Sequence, residues 1–217
     1  DKPRLTYDGE LYIQLLGDFL EDVVGQSATV AAAGLSAAYA LQVAVDRPEL
    51  IDSLALVVPS GIEIYGDEPN IKDALVNRFL RFPIVGTSAL NLLTSRTAMG
   101  QYLRRDVFLG PEKVDAARVE HHYRSSHQPG SHEALAAYLS GYLNHPVHDA
   151  LTRLHQPLWI GWGRDATAPS VEAADLWLLR APGAKLEVFE DSANLPHLEV
   201  SARFAQGLSP FLVDSMA

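Results

Sequence analysis

Ser36 could act chemically because it lies in the turn "AAGLSAA", between a short apolar segment and a segment of small residues. A serine on a sharp strand-to-helix turn is where one class of enzymes holds its nucleophile. A hydroxyl group is a weak nucleophile until a neighbouring base takes its proton and an acid orients that base. Asp165 and His197, further along the chain, are candidates for these two roles. Whether Ser36 or Gly34 occupies the nucleophile's position decides the chemistry.

The segments around this turn predict alternating strands and helices. The predicted elements are, in chain order, a helix over 6–24, a strand over 28–33, a helix over 36–45, a strand over 53–58, helices within 62–154, the strand "PLWIGW", a helix over 170–179, the strand "KLEVFE" and a helix over about 199–212. A strand, a helix and a second strand at this spacing form a βαβ unit with parallel strands. The six apolar residues of 28–33 suit burial on both faces. We therefore predict an α/β fold, a parallel sheet flanked by helices.

The composition excludes several classes of function. The chain has 217 residues, a formal net charge of −10 and no cysteine. An acidic chain argues against nucleic acid and against adhesion to anionic membranes, and the absence of cysteine excludes disulfides and thiolate chemistry. The spacings of the eight histidines do not match a metal motif, so we expect neither a metal nor a cofactor. No signal peptide or membrane span is apparent, and we expect a cytoplasmic protein.

The order of elements, together with three local patterns, resembles the α/β-hydrolase family over nearly the whole chain. The patterns are the opening "DKPRLTY", the segment "GWGRDATAPSVEAADLW" and the segment "PGAKLEVFEDSANLPHLEVSARFAQGLSPFL". The resemblance implies a hydrolase-like core over 1–61 and 155–217, with a helical cap over 62–154. It also implies that the first strands of the family have no counterpart in this sequence.

The resemblance leaves two registers for the family's nucleophile motif G-x-S-x-G. In one, "GLSAA" is the motif, Ser36 is the nucleophile and Ala38 replaces the last glycine. In the other, "AAGLS" is the motif and Gly34 takes the nucleophile's place. A proline usually follows the family's nucleophile by fourteen residues, and Pro48 lies fourteen residues after Gly34 but twelve after Ser36. The spacing favours Gly34, which would bury Ser36 in the first turn of the following helix.

The family's histidine loop provides a second comparison. Its pattern, roughly G-H-x-P-H-x-E, aligns with "ANLPHLE" and places Asn194 at the catalytic histidine and His197 at a second, structural histidine. An amide has no ring to carry a proton near neutral pH. The acid position is either Asp165 or Ala166, depending on which side of the loop is aligned.

Two functional hypotheses follow from this resemblance. The first is a hydrolase-fold protein with a degenerate catalytic triad that keeps a capped pocket for a small apolar ligand. Its triad positions are Gly34, Asp165 and Asn194, and its expected pocket residues are Gly34, Leu35, Trp162, Asn194 and Leu195. The alternative is an ester-type hydrolase that uses Ser36 with Asp165 and His197. In either case an apolar strand at 28–33 without its family neighbour predicts an oligomer or a complementing chain at the sheet edge.

Overall fold

The computed structural model describes residue 3 and residues 5–215. Asp1, Lys2 and Arg4, which belong to the segment "DKPRLTY", lie outside the described residues. Contacts divide the chain into two compact units, one comprising residues 1–9 and 68–144 and the other comprising residues 10–67 and 145–217. The predicted cap boundaries at 62 and 154 stay a prediction about domain organisation.

The second unit contains a four-stranded parallel sheet. Its strands are β1 (Ala28–Ala33), β2 (Ile51–Val57), β3 (Leu158–Gly163) and β4 (Lys185–Phe189), and they lie side by side in the order β1-β2-β3-β4. The register pairs Val30 with Leu54 and Leu56 with Ile160, all in parallel. The predicted α/β fold with a parallel sheet flanked by helices is therefore confirmed.

Helices cover the sheet of this unit. They are α1 (Gly9–Phe19, continued by a π-helical turn over Leu20–Val24), α2 (Leu35–Asp46), α8 (His148–Arg153), α9 (Ala174–Arg180), α10 (Pro196–Glu199) and α11 (Ser201–Ser215). The larger core packs α2, α8 and α9 against β2 and β3, with Trp162 and Trp177 fully enclosed. A smaller aromatic cluster of Trp159, Phe189 and Phe211 packs α11 against the sheet. Side chains alternate between the two faces of a strand. Trp159 and Trp162 are three residues apart in β3, so they lie on opposite faces and enter different clusters.

Strand β1 differs from the prediction that both its faces are buried. Its residues are half-buried and Ala31 is exposed. The physical reason is its position at the sheet edge, where only β2 neighbours it among the described strands. Strand β2, with a partner on each side, is buried except for Asp52.

The first unit is helical. Its helices are α3 (Ile71–Leu80), α4 (Val85–Leu93), α5 (Arg96–Tyr102, continued by a π-helical turn to Val107), α6 (Ala116–Ser126) and α7 (Ser131–Leu139). Asn70 begins α3 with a capping box, because its side chain accepts from the Lys72 amide while Asp73 accepts from the Asn70 amide. Leu80, Leu90 and Ala136 form the small core where α3, α4 and α7 meet. Among residues 3 and 5–215, no helix has the length and apolar character needed to cross a bilayer.

Candidate functional site

Gly34 forms the sharp turn between β1 and α2. Its backbone angles are φ 56° and ψ −126°, in a region that only glycine enters without steric cost. Its amide donates to the carbonyl oxygen of Val57 at 3.0 Å, and its carbonyl oxygen accepts from the amides of Ala37 and Ser60. A Cβ atom built on Gly34 would meet no heavy atom within 4 Å. The turn therefore has room for a side chain but carries none.

Ser36 lies in the first turn of α2, two residues after the bend. The expected burial of Ser36 is wrong, because its side chain is exposed. The helix instead buries the next residues, Ala37, Ala38 and Tyr39, against the sheet. This orientation follows from the helical period, which turns Ser36 away from the face that Ala37 and Ala40 present to the core.

The loop after β3 contacts the loop that carries Asn194. Asn194 Oδ1 accepts hydrogen bonds from the amides of Thr167 and Ala168, at 3.0 and 3.5 Å. The Asp165 amide donates to the carbonyl oxygen of Ser192 at 3.0 Å. The structure therefore brings the segment of Asp165 and the segment of Asn194 together. That these segments are the family's acid and histidine loops stays a prediction.

The two residues proposed for the acid position differ in exposure. Asp165 is exposed, whereas Ala166 is buried. Gly163, just before them, abuts the second loop so closely that a Cβ atom there would overlap the carbonyl oxygen of Ala193. The absence of a side chain at Gly163 thus permits the two loops to touch.

His197 lies in α10 and packs against the aromatic cluster. Its ring meets the Phe204 ring edge-on, with centroids 5.9 Å apart, and its Nδ1 is buried and has no hydrogen-bond partner within residues 3 and 5–215. Burial lowers the pKa of His197 below its ordinary value, and the nearby Glu199 carboxylate opposes this by raising it. No hydrogen bond or ion pair joins the side chains of Ser36, Asp165 and His197 in the part of the chain that the structure describes.

Glu199 holds the loop in place, a role that the sequence analysis did not assign. Its Oε1 accepts hydrogen bonds from the amides of Ala193 and Leu195, at 2.8 and 3.4 Å. These two residues flank Asn194, so Glu199 holds the backbone on both sides of Asn194. The signal was present in "ANLPHLE", where an acidic residue follows Pro196 within the first turn of a helix.

Comparison with known proteins identifies the architecture. No family model and no curated protein matches the chain. Among solved structures, a serine hydrolase involved in carbazole degradation superposes with a TM-score of 0.76 and 17% sequence identity, over 98% of this chain and 74% of its own. The chain has the α/β-hydrolase fold.

Two further solved structures with this fold superpose with similar TM-scores. A thermophilic esterase from Thermogutta terrifontis superposes with a TM-score of 0.74 and 13% identity, covering 98% of this chain and 75% of its own. A meta-cleavage product hydrolase from Pseudomonas fluorescens gives 0.73 and 16%, covering 99% and 75%. At these identities the likeness establishes the α/β-hydrolase fold and not the reaction.

The remaining expected pocket residues of this α/β-hydrolase fold lie around the strand ends. Leu35 and Leu195 are half-buried, whereas Trp162 is fully buried at the end of β3. The Trp162 Nε1 is a buried donor without a hydrogen-bond partner among the described residues, which is unusual because buried indoles normally find an acceptor. That these residues line a ligand pocket stays a prediction.

The histidine, aspartate and glutamate side chains that the structure describes do not converge as a metal site would require. Within residues 3 and 5–215 there is no group of three or more such side chains that could hold a metal ion.

Proposed function

We propose that this chain is a non-catalytic α/β-hydrolase-fold protein that binds a small apolar or weakly polar molecule at the strand ends. Its triad positions are Gly34, Asp165 and Asn194. The observation that carries the proposal is the backbone of Gly34, which has the strained strand-to-helix bend expected of a nucleophile position and no side chain on it. Covalent catalysis at that bend needs a nucleophilic side chain, such as a hydroxyl, thiol or carboxylate, and glycine supplies none.

The proton chemistry supports the same proposal. Asn194 has an amide where a histidine would act as base, and its Oδ1 is already engaged with two backbone amides. An amide neither takes up a proton near neutral pH nor passes one on. Removing a general base typically lowers turnover by about 10²–10⁴-fold. Asn194 therefore orients the loop of Thr167 and Ala168 instead of activating a nucleophile.

The second candidate is an ester-type hydrolase with Ser36, Asp165 and His197. Its supporting observation is that the Ser36 hydroxyl is exposed at the start of α2, close in sequence to the bend. Against it, the Ser36 and His197 side chains share no hydrogen bond among the described residues, and His197 Nδ1 is buried against the aromatic cluster. We rank this candidate second for that reason.

Labelling by a fluorophosphonate probe distinguishes the two candidates. We expect no labelling and background turnover of a p-nitrophenyl ester for the wild-type chain and for Ser36→Ala alike. The positive control is Gly34→Ser combined with Asn194→His, which restores hydroxyl and imidazole at the two triad positions and should gain labelling. Labelling of the wild type that disappears in Ser36→Ala would favour the hydrolase instead.

Ligand binding has its own measurement. Titration with 4-nitrophenol, followed by NMR, should shift the side-chain amide of Asn194 and the backbone amide of Leu35. The amide of Gly183, in an open loop where a Cβ atom would meet nothing within 4 Å, serves as the reference that should not move. Shifts confined to residues away from the strand ends would contradict the proposed pocket.

A further inference from the structure

Helix α3 exposes an apolar stripe. Ile71, Leu75 and Phe79 follow one another at intervals of four residues, and their exposed fractions are 82%, 64% and 55%. The opposite side of α3 carries Asn77 and Leu80, which are buried in the first unit. Helix α3 is therefore apolar on two sides, and the side with Ile71, Leu75 and Phe79 is exposed. Monomeric proteins rarely expose contiguous large apolar side chains, so this side is a candidate contact surface.

Basic residues border this stripe. Lys72 and Arg78 are exposed, and neither side chain makes an ion pair or hydrogen bond within the described part of the chain. The segment 71–105 contains six basic residues and one acidic residue, a formal charge of +5 in a chain whose net charge is −10. Arg81 and Arg96 of this segment pair with Glu133 and Glu120, so the positive charge left at the border of the α3 stripe is that of Lys72 and Arg78.

Helix α1 and its π-helical turn expose a second stripe with the opposite charge. Leu15, Phe19 and Val23 also recur at intervals of four, with exposed fractions of 60%, 51% and 69%. Asp18 and Asp22 flank them, and residues 9–24 include no basic residue. Asp18 pairs with Arg47 at 3.2 Å, whereas Asp22 has no side-chain partner among the described residues.

We propose that α3 of one copy of this chain docks against α1 of a second copy. Each stripe has three large apolar side chains at the same helical spacing, so the two stripes can pack side by side and exclude water. The basic border of α3 then faces the acidic border of α1, and this complementarity selects the heterologous α1–α3 pairing over α1–α1 or α3–α3.

The size of the contact predicts a weak association. One pair of short helices covers less than the roughly 800 Å² per partner that stable complexes bury. Because every copy carries both stripes, a second α1–α3 contact can form with the same partner or with a further copy. We therefore expect self-association that grows with protein concentration.

Charge reversal provides the decisive test, measured by sedimentation velocity at low salt. Variant A is Lys72→Glu with Arg78→Glu, and variant B is Asp18→Lys with Asp22→Lys. Each variant alone places like charges at every α1–α3 contact, and we expect its association to weaken by about tenfold or more. An equimolar mixture of A and B restores opposite charges at every contact between A and B and should regain association through such mixed pairs.

Controls separate this contact from general charge and folding effects. Lys185→Glu with Arg153→Glu changes the net charge by the same amount as variant A but removes only exposed surface ion pairs, so it should associate like the wild type. Leu75→Ser with Phe79→Ser should weaken association at least as much as variant A does, whereas Leu179→Ser, on a helix elsewhere, should not. Circular dichroism checks that each variant is folded.

Three results would overturn the proposal. They are a wild-type chain that stays monomeric at all concentrations, a mixture of A and B that fails to associate, and a control that weakens association as much as variant A.

Discussion

At the scale of single residues, Gly34 combines open space with a costly backbone conformation. A Cβ atom there would touch nothing, yet φ is 56°. A residue with a side chain in so sparsely populated a backbone region costs about 1–3 kcal/mol. We expect Gly34→Ala to lower the free energy of unfolding by about that amount in urea denaturation.

Gly183 is the matched control for this substitution. A Cβ atom at Gly183 also meets nothing within 4 Å, and its φ is not positive. Gly183→Ala should therefore change the free energy of unfolding by less than about 0.5 kcal/mol. Equal effects at the two positions would mean that the bend at Gly34 is not strained.

His197 makes stability depend on pH. Burial holds the pKa of His197 below the 6.5 of an unperturbed histidine. As pH falls through 6.5 towards that lower folded pKa, the unfolded chain binds the proton first, so the free energy of unfolding decreases. Replacing His197 by glutamine should remove part of this decrease between pH 7.5 and 5.5.

Denaturant titrations across that range measure the effect of His197. His122, whose pKa burial also lowers, contributes in the same direction, and its own glutamine variant separates its share. The exposed His155 provides the reference variant. A His197→Gln protein with an unchanged pH profile would contradict the burial of the ring.

At the scale of elements, the loop from β4 to α10 depends on one carboxylate. Glu199 accepts from the amides of Ala193 and Leu195, and hydrogen bonds to charged groups contribute about 1.5–3 kcal/mol. We expect Glu199→Ala to lower the free energy of unfolding by at most about 3 kcal/mol. It should also speed hydrogen exchange at the amides of Ala193 and Leu195. Glu190→Ala, which removes a surface ion pair with Arg164, is the control.

Exchange rates at Ala193 and Leu195 that match the wild type in Glu199→Ala would show that other contacts hold the loop. A loosened loop would also release Asn194 from the amides of Thr167 and Ala168, which NMR reports separately. The two observations together distinguish a local role of Glu199 from general destabilisation.

The helices show which element-level features a sequence can predict. The spacing of apolar residues predicts helices over 6–24 and within 62–154, and the structure has helices there. The same spacing does not tell which apolar residues are covered. Leu15 and Phe19 follow helical spacing, as Ile13 and Leu20 do. The first pair is exposed, whereas the second pair is buried.

At the scale of the whole molecule, the two edges of the sheet are built differently. Strand β4 carries two charged residues, Lys185 and Glu187, and Lys185 forms an ion pair with Asp214. Charged side chains on an edge strand discourage the addition of a further strand. Strand β1, "ATVAAA", carries no charge. We propose that the β1 edge accepts a further strand, from a complementing chain or a second copy.

Hydrogen exchange tests the β1 edge. The Gly34 amide donates to Val57 of β2, and because successive backbone groups alternate in direction, the amides of Ala31 and Ala33 point away from β2. We expect these two amides to become protected as protein concentration rises. Free exchange of Ala31 and Ala33 at every concentration would contradict strand addition by a second copy, and it would leave the α1–α3 contact untouched.

The candidate site could be predicted only in part. Pro48, fourteen residues after Gly34, indicated where the strand-to-helix bend lies, because the helix and the loop between them have a defined length. The exposure of Ser36 and the contacts of Asn194 with Thr167 and Ala168 could not be predicted. They depend on which helix face meets the sheet and on how closely Gly163 lets two loops approach.

The sequence by itself determined the elements and their order, because hydrophobic period, glycine and proline act locally along the chain. It thereby determined a parallel sheet flanked by helices. Only the tertiary structure decided that β1 is an edge, that Gly34 bends with φ 56°, and that Glu199 binds the amides of Ala193 and Leu195. These features arise from contacts between residues far apart in sequence, and the free energy of such contacts depends on distances that no local pattern encodes.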